Sequence, residues 1–398
     1  MNILIIANFV ANLDGKSYGR FLHLGEILSD QGHQVELITS DFNHGSKKHD
    51  RKITGKFKTK VTLLHEPGYP NNVSLKRLYS HYRWGKNVAH YVKKQIVPDI
   101  IYLAIPSLTA GVEMVKFCKK RGVKLVVDVQ DLWPEAFCMV LKNKLLQFAF
   151  KPMEWYVNYS YKNADRVVAV SETYVKRVLQ VNKKQNQGLS VFLGNDGALF
   201  DSSKEKYAEN RGDDKIRIAY VGTLGYSYDI PCVLKALQRV IKKDNDFTAR
   251  LSFVIMGDGP LRKEFEELTK ELNLSEIIEF TGRVPYPEMV GKMCSCDIVV
   301  NPIVKGSAAS IINKVGDYAL SGLPVINTQE CQEYRDLIEK YDCGINCRPG
   351  NEEEVANAIE ILMKNKSLRE KLGRNHRKLG IEKFDRRNTY KKIIDYIV

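Results

Sequence analysis

The stretch Asn313 to Asn327, NKVGDYALSGLPVIN, brings a cation, a carboxylate and a run of backbone amides close together in sequence. Val315 to Leu320 suits one short helix, Gly322 with Pro324 ends it, and Leu323 to Ile326 reads as the next buried strand. Upstream, Gly306-Ser307-Ala308-Ala309-Ser310 is a loop of small residues. The N–H groups of Ile312, Asn313 and Lys314 can therefore cradle a diphosphate at the positive end of the helix, and Lys314 adds a full charge. Asp317, one turn further in, is placed to accept hydrogen bonds from a sugar's vicinal hydroxyls, as a carboxylate does on ribose in doubly wound folds. The chemistry indicated is stabilisation of a leaving diphosphate, with Lys314 as the catalytic cation.

Further turns follow strand signals in the same half. Gly222 and Thr223 in Val221-Gly222-Thr223-Leu224-Gly225-Tyr226, and Gly257 in Met256-Gly257-Asp258-Gly259-Pro260, let a ligand approach the backbone at the carboxyl ends of an open α/β sheet. Thr281-Gly282-Arg283-Val284-Pro285 offers Arg283 and the Val284 backbone to a base. In the first half, Asp14-Gly15-Lys16-Ser17 presents the amides of Gly15 and Lys16 to the far phosphate or the transferred group, although Lys16 reads equally as a solvated loop charge. Asp128 to Glu135, DVQDLWPE, gathers three carboxylates and an indole after a strand; helix capping accounts for Asp131 and Glu135 almost as well as catalysis does. Asp244-Asn245-Asp246 reads as a surface turn. His33, His44, His49 and His65 are dispersed without metal-ligand spacing, so no metal is expected.

Positioning these groups calls for parallel strands that end along a common edge. Strand signals fall at Asn2 to Ala7, Gln34 to Thr39, Val61 to Leu64, Asp99 to Ala104, Lys124 to Val129 and Arg166 to Val170. They resume at Ile216 to Val221, Leu251 to Met256, Ile277 to Phe280, Ile298 to Asn301, Leu323 to Ile326 and Gly344 to Cys347. Helix signals lie between them. The class is α/β, with two doubly wound Rossmann-like domains facing a cleft. A break at Gly194-Asn195-Asp196-Gly197, followed by a polar run to Asp214, has the composition of a linker. The expected domains are 1–195, 196–378 and a C-terminal helix over 379–398 that packs back on the first.

Charge separates the two halves. Residues 1 to 200 hold 29 Lys and Arg against 16 Asp and Glu, while the remainder holds 32 against 31, so the basic excess belongs to the first half. Such an excess suits an anionic lipid surface or nucleic acid; nucleic acid is set aside because the glycine turns would then serve no purpose. Basic and aromatic residues interleave from Leu75 to Val92 and from Lys142 to Lys162. Tyr79, Tyr82, Trp84 and Tyr91 beside Lys76, Arg77, Arg83 and Lys86 suit a helix lying in a lipid interface. The alternative is a helix that packs its aromatics inward and exposes its lysines. No apolar run approaches about 18 residues, and MNILIIANFVAN reads as a first strand, not a signal peptide. Eight cysteines without a C-x-x-C pair point to a reducing cytoplasm and away from disulfides and zinc.

In their order, these segments resemble the retaining nucleotide-sugar glycosyltransferases of family 4, which have the GT-B fold. The resemblance spans nearly the whole length and rests on SYGRFLHLGEILSDQGHQVELIT, NADRVVAVSETY, LGNDGALF, YVGTLG, VIMGDGPL, FTGRVPYPEM, CDIVVNPI and KVGDYALSGLPVI. VQDLWPE is similar to the subgroup that builds capsules and O-antigens, including transferases of the N-acetylfucosamine type. The resemblance implies sugar transfer with retention from a nucleotide-diphosphate donor, held by the second domain, to a lipid-linked sugar on the first. It implies no cofactor, no metal, and a place on the inner face of the cell membrane. Asp317 matches the second glutamate of the family's paired-acid motif, which holds the donor ribose, while the first glutamate's place falls at Ala309. Thr223 and Tyr228 stand where the family often has an Arg and a Lys on the diphosphate, so Lys314 or Lys305 takes over that charge. Gln130 lies near the family's frequent active-site histidine and joins Lys314 and Asp131 as a catalytic candidate. The runner-up readings are a nucleotide-sugar 2-epimerase of the same fold and a silent partner in a membrane glycosyltransferase complex.

Overall fold

The computed structural model describes residues 1–10, 13–15, 18–72, 74–135, 150–243, 246–307 and 311–398. The chain forms two compact units, one of Met1–Phe192 with Tyr390–Val398 and the other of Leu193–Thr389. Of the C-terminal segment expected over 379–398, residues 379–389 therefore belong to the second unit and only Tyr390–Val398 to the first.

The first unit holds a parallel sheet of β1 (Asn2–Ile6), β2 (Gln34–Ser40), β3 (Lys60–Leu64), β4 (Ile100–Ile105), β5 (Lys124–Val129), β6 (Arg166–Ala169) and β7 (Leu189–Ser190). Its order is β3-β2-β1-β4-β5-β6-β7. Central strands such as IIYLAI are apolar throughout and buried at every position, as a parallel sheet covered on both faces requires. The second unit repeats the plan with β8 (Ile216–Val221), β9 (Leu251–Met256), β10 (Ile278–Gly282), β11 (Ile298–Asn301), β12 (Val325–Asn327) and β13 (Gly344–Asn346), ordered β10-β9-β8-β11-β12-β13. In each sheet the order reverses beside the unit's first strand, between β1 and β4 and between β8 and β11.

The expected strands differ from these by at most two residues at either end. Among the described residues, some elements were not expected. β7 has only two residues, too few to show a period. The run taken for a linker contains the helix Gly197–Tyr207, capped by the Asp196 carboxylate on the N–H groups of Ala198 and Leu199 at 3.1 Å and anchored by buried Phe200. Its polar composition reflects a half-solvated helix, not a free tether.

Arg20, Asp128 and Tyr102 form the buried polar centre of the first unit. Arg20 Nε donates to Asp128 Oδ2 at 2.6 Å and Nη2 to Oδ1 at 3.2 Å, while Nη1 donates to the Val191 and Phe192 carbonyls at 2.9 and 3.2 Å. The Tyr102 hydroxyl adds a 2.7 Å bond to Asp128 Oδ2. Asp128 on β5 thus sets where the helix Arg20–Asp30 begins and where the chain leaves β7. Removing one member leaves the other charge buried and unpaired, which costs about 3 to 5 kcal/mol. Asp128→Ala is therefore expected to lower the urea midpoint of the first unit far more than Asp165→Ala, whose carboxylate is partly exposed. Equal midpoints for the two variants would refute this ranking.

Candidate functional site

In the second unit several expected turns meet where the sheet order reverses. Beyond β8, Tyr228 pairs with Ile303 in an isolated bridge, and the Asp229 N–H donates to the Pro302 carbonyl at 3.0 Å. The loops leaving β8 and β11 are thereby fastened to one another. The helix Lys314–Ser321 ends at Gly322, whose φ of 74° is the left-handed conformation that glycine adopts without strain. Its Tyr318 hydroxyl accepts from the Val221 N–H at 2.9 Å, which holds the helix start beside the end of β8.

Lys314 Nζ lies 4.1 Å from the centroid of the Tyr220 ring and 3.9 Å from that of Tyr228. It also rests on Gly222, where a built Cβ would stand 2.7 Å from it and push the ammonium aside. The nitrogen is buried, and among the described residues it has no hydrogen-bond partner. A desolvated cation–π contact contributes about 2 kcal/mol, whereas taking an ammonium out of water costs several kcal/mol. Desolvation wins, and burial drives the Lys314 ammonium well below its ordinary value. A phosphate oxygen arriving here would supply the missing counter-charge.

Asp317 is held by other partners. Its Oδ1 accepts from Asn195 Nδ2 at 2.6 Å and from the Tyr286 hydroxyl at 2.8 Å, so Oδ2 keeps its capacity to accept. Burial pushes the carboxyl from its ordinary 3.8 up to about 7, against those two bonds and the charge of Arg386. Tyr286 follows the turn that carries exposed Arg283 and half-buried Val284, so that turn and Asp317 are brought together. Thr223 is exposed, and its carbonyl accepts from the Tyr220 hydroxyl at 2.8 Å. At Gly257 the open space goes to a neighbouring loop: a Cβ there would overlap the Gly222 carbonyl oxygen, and the Gly222 N–H donates to the Met256 carbonyl at 2.9 Å. Ile312 is half-buried, Asn313 exposed, and their carbonyls accept from the N–H groups of Val315 and Gly316 at 3.2 Å. Lys305 is exposed; Ala309 lies outside the described residues.

The remaining candidates lie in the first unit. Gly15 takes φ 78° and packs against Gly55, and Lys16 lies outside the described residues. Gln130 Nε2 donates to Asp128 Oδ1 at 2.7 Å, which joins it to the buried Arg20 network. Asp131 Oδ2 accepts from Trp133 Nε1 at 3.0 Å, and burial raises its carboxyl above the ordinary value.

Sequence reasoning missed the surroundings of Trp133. The Arg77 guanidinium lies 4.6 Å from the Trp133 ring, 5.5 Å from Tyr69 and 5.7 Å from Phe9, and His81 stacks on Trp133 at 5.7 Å. These side chains come from segments far apart in the chain, so no local pattern announces them. Arg77 therefore turns inward instead of joining an interfacial row, and Trp84 is buried at 1% exposure; both follow from the inward face of the helix Leu75–Val92. Leu75, Tyr79 and Tyr82 on that helix, and Trp155 on the helix Lys151–Asn163, are exposed. Residues 142–149 of the second basic-aromatic segment lie outside the described residues. A cavity of about 610 Å³ between these helices is lined by Leu75, Leu78, Tyr82, Met153 and Tyr156, with Arg77 at its wall.

Because the folded state holds the Asp317 proton up to about pH 7 and the unfolded chain releases it near 3.8, this group's contribution to stability is lost as pH rises across that window. Asp317→Asn keeps an oxygen for both hydrogen bonds but cannot ionise. Its stability relative to the parent is expected to rise between about pH 4 and 7 by on the order of a few kcal/mol, each pKa unit being about 1.4 kcal/mol. Urea unfolding at a series of pH values measures this, and a pH-independent difference would show the carboxyl to be unshifted.

The model described as "Glycosyltransferase Family 4" matches residues 20–186, and that described as "Glycosyl transferases group 1" matches residues 201–379. The "Uncharacterized glycosyltransferase MJ1178" of Methanocaldococcus jannaschii is 27% identical over 60% of this chain, a match that spans only 59% of that relative. The Campylobacter jejuni protein named "GalNAc-alpha-(1->4)-GalNAc-alpha-(1->3)-diNAcBac-PP-undecaprenol alpha-1,4-N-acetyl-D-galactosaminyltransferase" is 26% identical over 64% of each chain. The solved structure of Anabaena Alr3699/HepE in complex with UDP is similar with a TM-score of 0.69 at 18% identity, covering 99% of both chains. Both glycosyltransferase family models are thus matched in succession, each on one doubly wound sheet, and the fold is GT-B.

Proposed function

We propose that the protein is a retaining glycosyltransferase that moves a sugar from a nucleotide-diphosphate donor to a lipid-linked sugar acceptor in the building of a bacterial surface polysaccharide. The observation that carries the reading is Lys314, a buried ammonium without a counter-charge among the described residues, standing where the loops of β8 and β11 meet. Ligands of doubly wound sheets bind at this reversal of strand order. In this reading the donor's diphosphate lies against Gly222 and the start of the helix Lys314–Ser321, and its negative charge supplies the counter-charge that Lys314 lacks. Breaking the anomeric bond leaves a nucleoside diphosphate, and Lys314 with the amides of Ile312 to Lys314 stabilises that leaving charge without a divalent metal. Asp317 Oδ2 accepts from the donor ribose, and Arg283 with the Val284 backbone faces the base. The UDP complex of the similar Anabaena structure supports a nucleotide in this fold.

The acceptor reading rests on the first unit. Its basic excess, the exposed Leu75, Tyr79 and Trp155, and the apolar cavity beside Arg77 suit a lipid-linked sugar presented at an anionic membrane. The Campylobacter relative's printed name, with its diphosphate-linked undecaprenol, agrees. Among the described residues no helix is long and apolar enough to cross a membrane, so contact would be peripheral. Gln130 and Asp131 are assigned to the acceptor side, where Asp131 with its raised carboxyl would orient the attacking hydroxyl.

Two outcomes are expected. Lys314→Met should weaken UDP binding and turnover by about 2.7 to 4 kcal/mol, the cost of losing one preorganised group on developing charge, and turnover should survive EDTA. Isothermal calorimetry with UDP measures the binding loss, and unchanged UDP binding by the variant would displace Lys314 from the site. Separately, Leu75→Glu with Trp155→Glu should release the full chain from anionic vesicles and lower turnover on a lipid-linked acceptor, while turnover on a short soluble acceptor stays level. Equal loss on both acceptors would argue against a membrane-presented substrate.

A further inference from the structure

Asp41, His49 and His65 come from three separate places at one corner of the first unit: the end of β2, the loop after it, and the residue after β3. Their nearest side-chain ligand atoms all lie within 4.8 Å of one another. The corner is built to hold them. The Asp41 N–H donates to the Leu64 carbonyl at 3.0 Å, and Asp41 Oδ1 accepts from the Glu66 N–H at 2.9 Å, which ties the ends of β2 and β3 together. An isolated bridge between Asn43 and Lys48 folds the intervening loop back and delivers His49 to the same spot.

The two imidazoles are nearly parallel, 5.3 Å apart with 23° between their planes, and both turn Nδ1 to the one carboxylate. His65 Nδ1 lies 2.8 Å from Asp41 Oδ2, and His49 Nδ1 lies 3.3 Å from Oδ1. His49 Nε2 lies 3.4 Å from the Pro67 carbonyl. With Nδ1–H on each ring the imidazoles face the carboxylate as hydrogen-bond donors; with the proton on Nε2 instead, both Nδ1 lone pairs and the carboxylate converge on one point, as the ligands of a metal ion do. A dication satisfies both rings and the carboxylate at once, and an imidazole whose second nitrogen meets a backbone carbonyl is the usual second shell of a metal-bound histidine. Arg51 acts on Asp41 through its charge, while its guanidinium donates hydrogen bonds to Thr39, Ser40 and Val10.

We propose that Asp41, His49 and His65 bind one divalent transition-metal ion of the zinc type, with water completing its shell. Two imidazoles and one carboxylate suit such an ion better than calcium or magnesium, which prefer oxygen. The ion would clamp the loop after β2 to the segment after β3. Sequence spacing disperses these residues, and only the pairing of β2 with β3 gathers them. The site is independent of sugar transfer, whose charge is supplied by Lys314.

The test uses the full chain, stripped of metal by dialysis against a chelator and titrated with cobalt(II) and zinc chlorides. One saturating ion per chain, visible cobalt d–d absorption and a raised melting temperature are expected. His49→Gln and His65→Gln should each weaken binding about tenfold or more, and the double variant should abolish it, with unchanged circular dichroism and an unchanged melting temperature in chelator. Undiminished binding by the double variant would overturn the proposal. So would thiolate-to-cobalt charge-transfer absorption, which would place the ion on the chain's cysteines, and so would the absence of saturable binding.

Discussion

Parallel strands covered by helices on both faces leave a ligand little to approach except the strand ends, and at the carboxyl ends the loops must diverge wherever the strand order reverses. In the second unit that divergence falls between β8 and β11, and the loops there are cross-fastened through Tyr228, Ile303 and Pro302. The helix Lys314–Ser321 is pinned to the same point by the Tyr318 hydroxyl on Val221. Lys314 then lies on Gly222, between two tyrosine rings. The position of the charge follows from the topology, and its suppressed basicity follows from the position.

Two of the buried ionisable centres among the described residues solve opposite problems. Arg20 and Asp128 are fully paired, with Tyr102, Gln130 and two backbone carbonyls taking up the remaining hydrogen-bonding capacity. Such a network fixes geometry, because every member is satisfied only in one arrangement. Lys314 and Asp317 are under-satisfied by comparison: one has only ring faces, and the other has both its bonds on a single oxygen. Unbalanced groups of this kind cost stability and are common where a protein meets a charged ligand. Tyr228 forms one wall of the recess around Lys314.

Hydrophobic burial in the first unit is unevenly finished. Its core packs Ile393, Ile394 and Ile397 of the last helix against the sheet, yet the helices Leu75–Val92 and Lys151–Asn163 leave large apolar side chains in solvent around an apolar cavity. Both helices are amphipathic enough to bury one face, as Trp84 and Val157 show, so the exposed residues are a second apolar surface and not a failure of packing.

Much of the architecture was legible without coordinates, because continuous apolar runs, Gly-Pro punctuation and capping residues act over a few positions. Thus β8, β9 and β11 and the short helix ended by Gly322 were placed to within two residues, and the fold class followed from their alternation. Composition also located the basic excess in the first half. What local patterns do not carry is which strand ends become neighbours. The pairing of β2 with β3 gathers Asp41, His49 and His65 from two loops, and the reversal between β8 and β11 sets Tyr220 and Tyr228 around Lys314. Gly257 shows the same limit, since sequence marks a residue without a side chain but only the packed structure reveals that the Gly222 loop fills the space. Periodicity and turn chemistry are encoded within a turn or a strand, whereas burial, pairing and the resulting shifts in ionisation depend on groups distant in sequence that only the folded chain brings together.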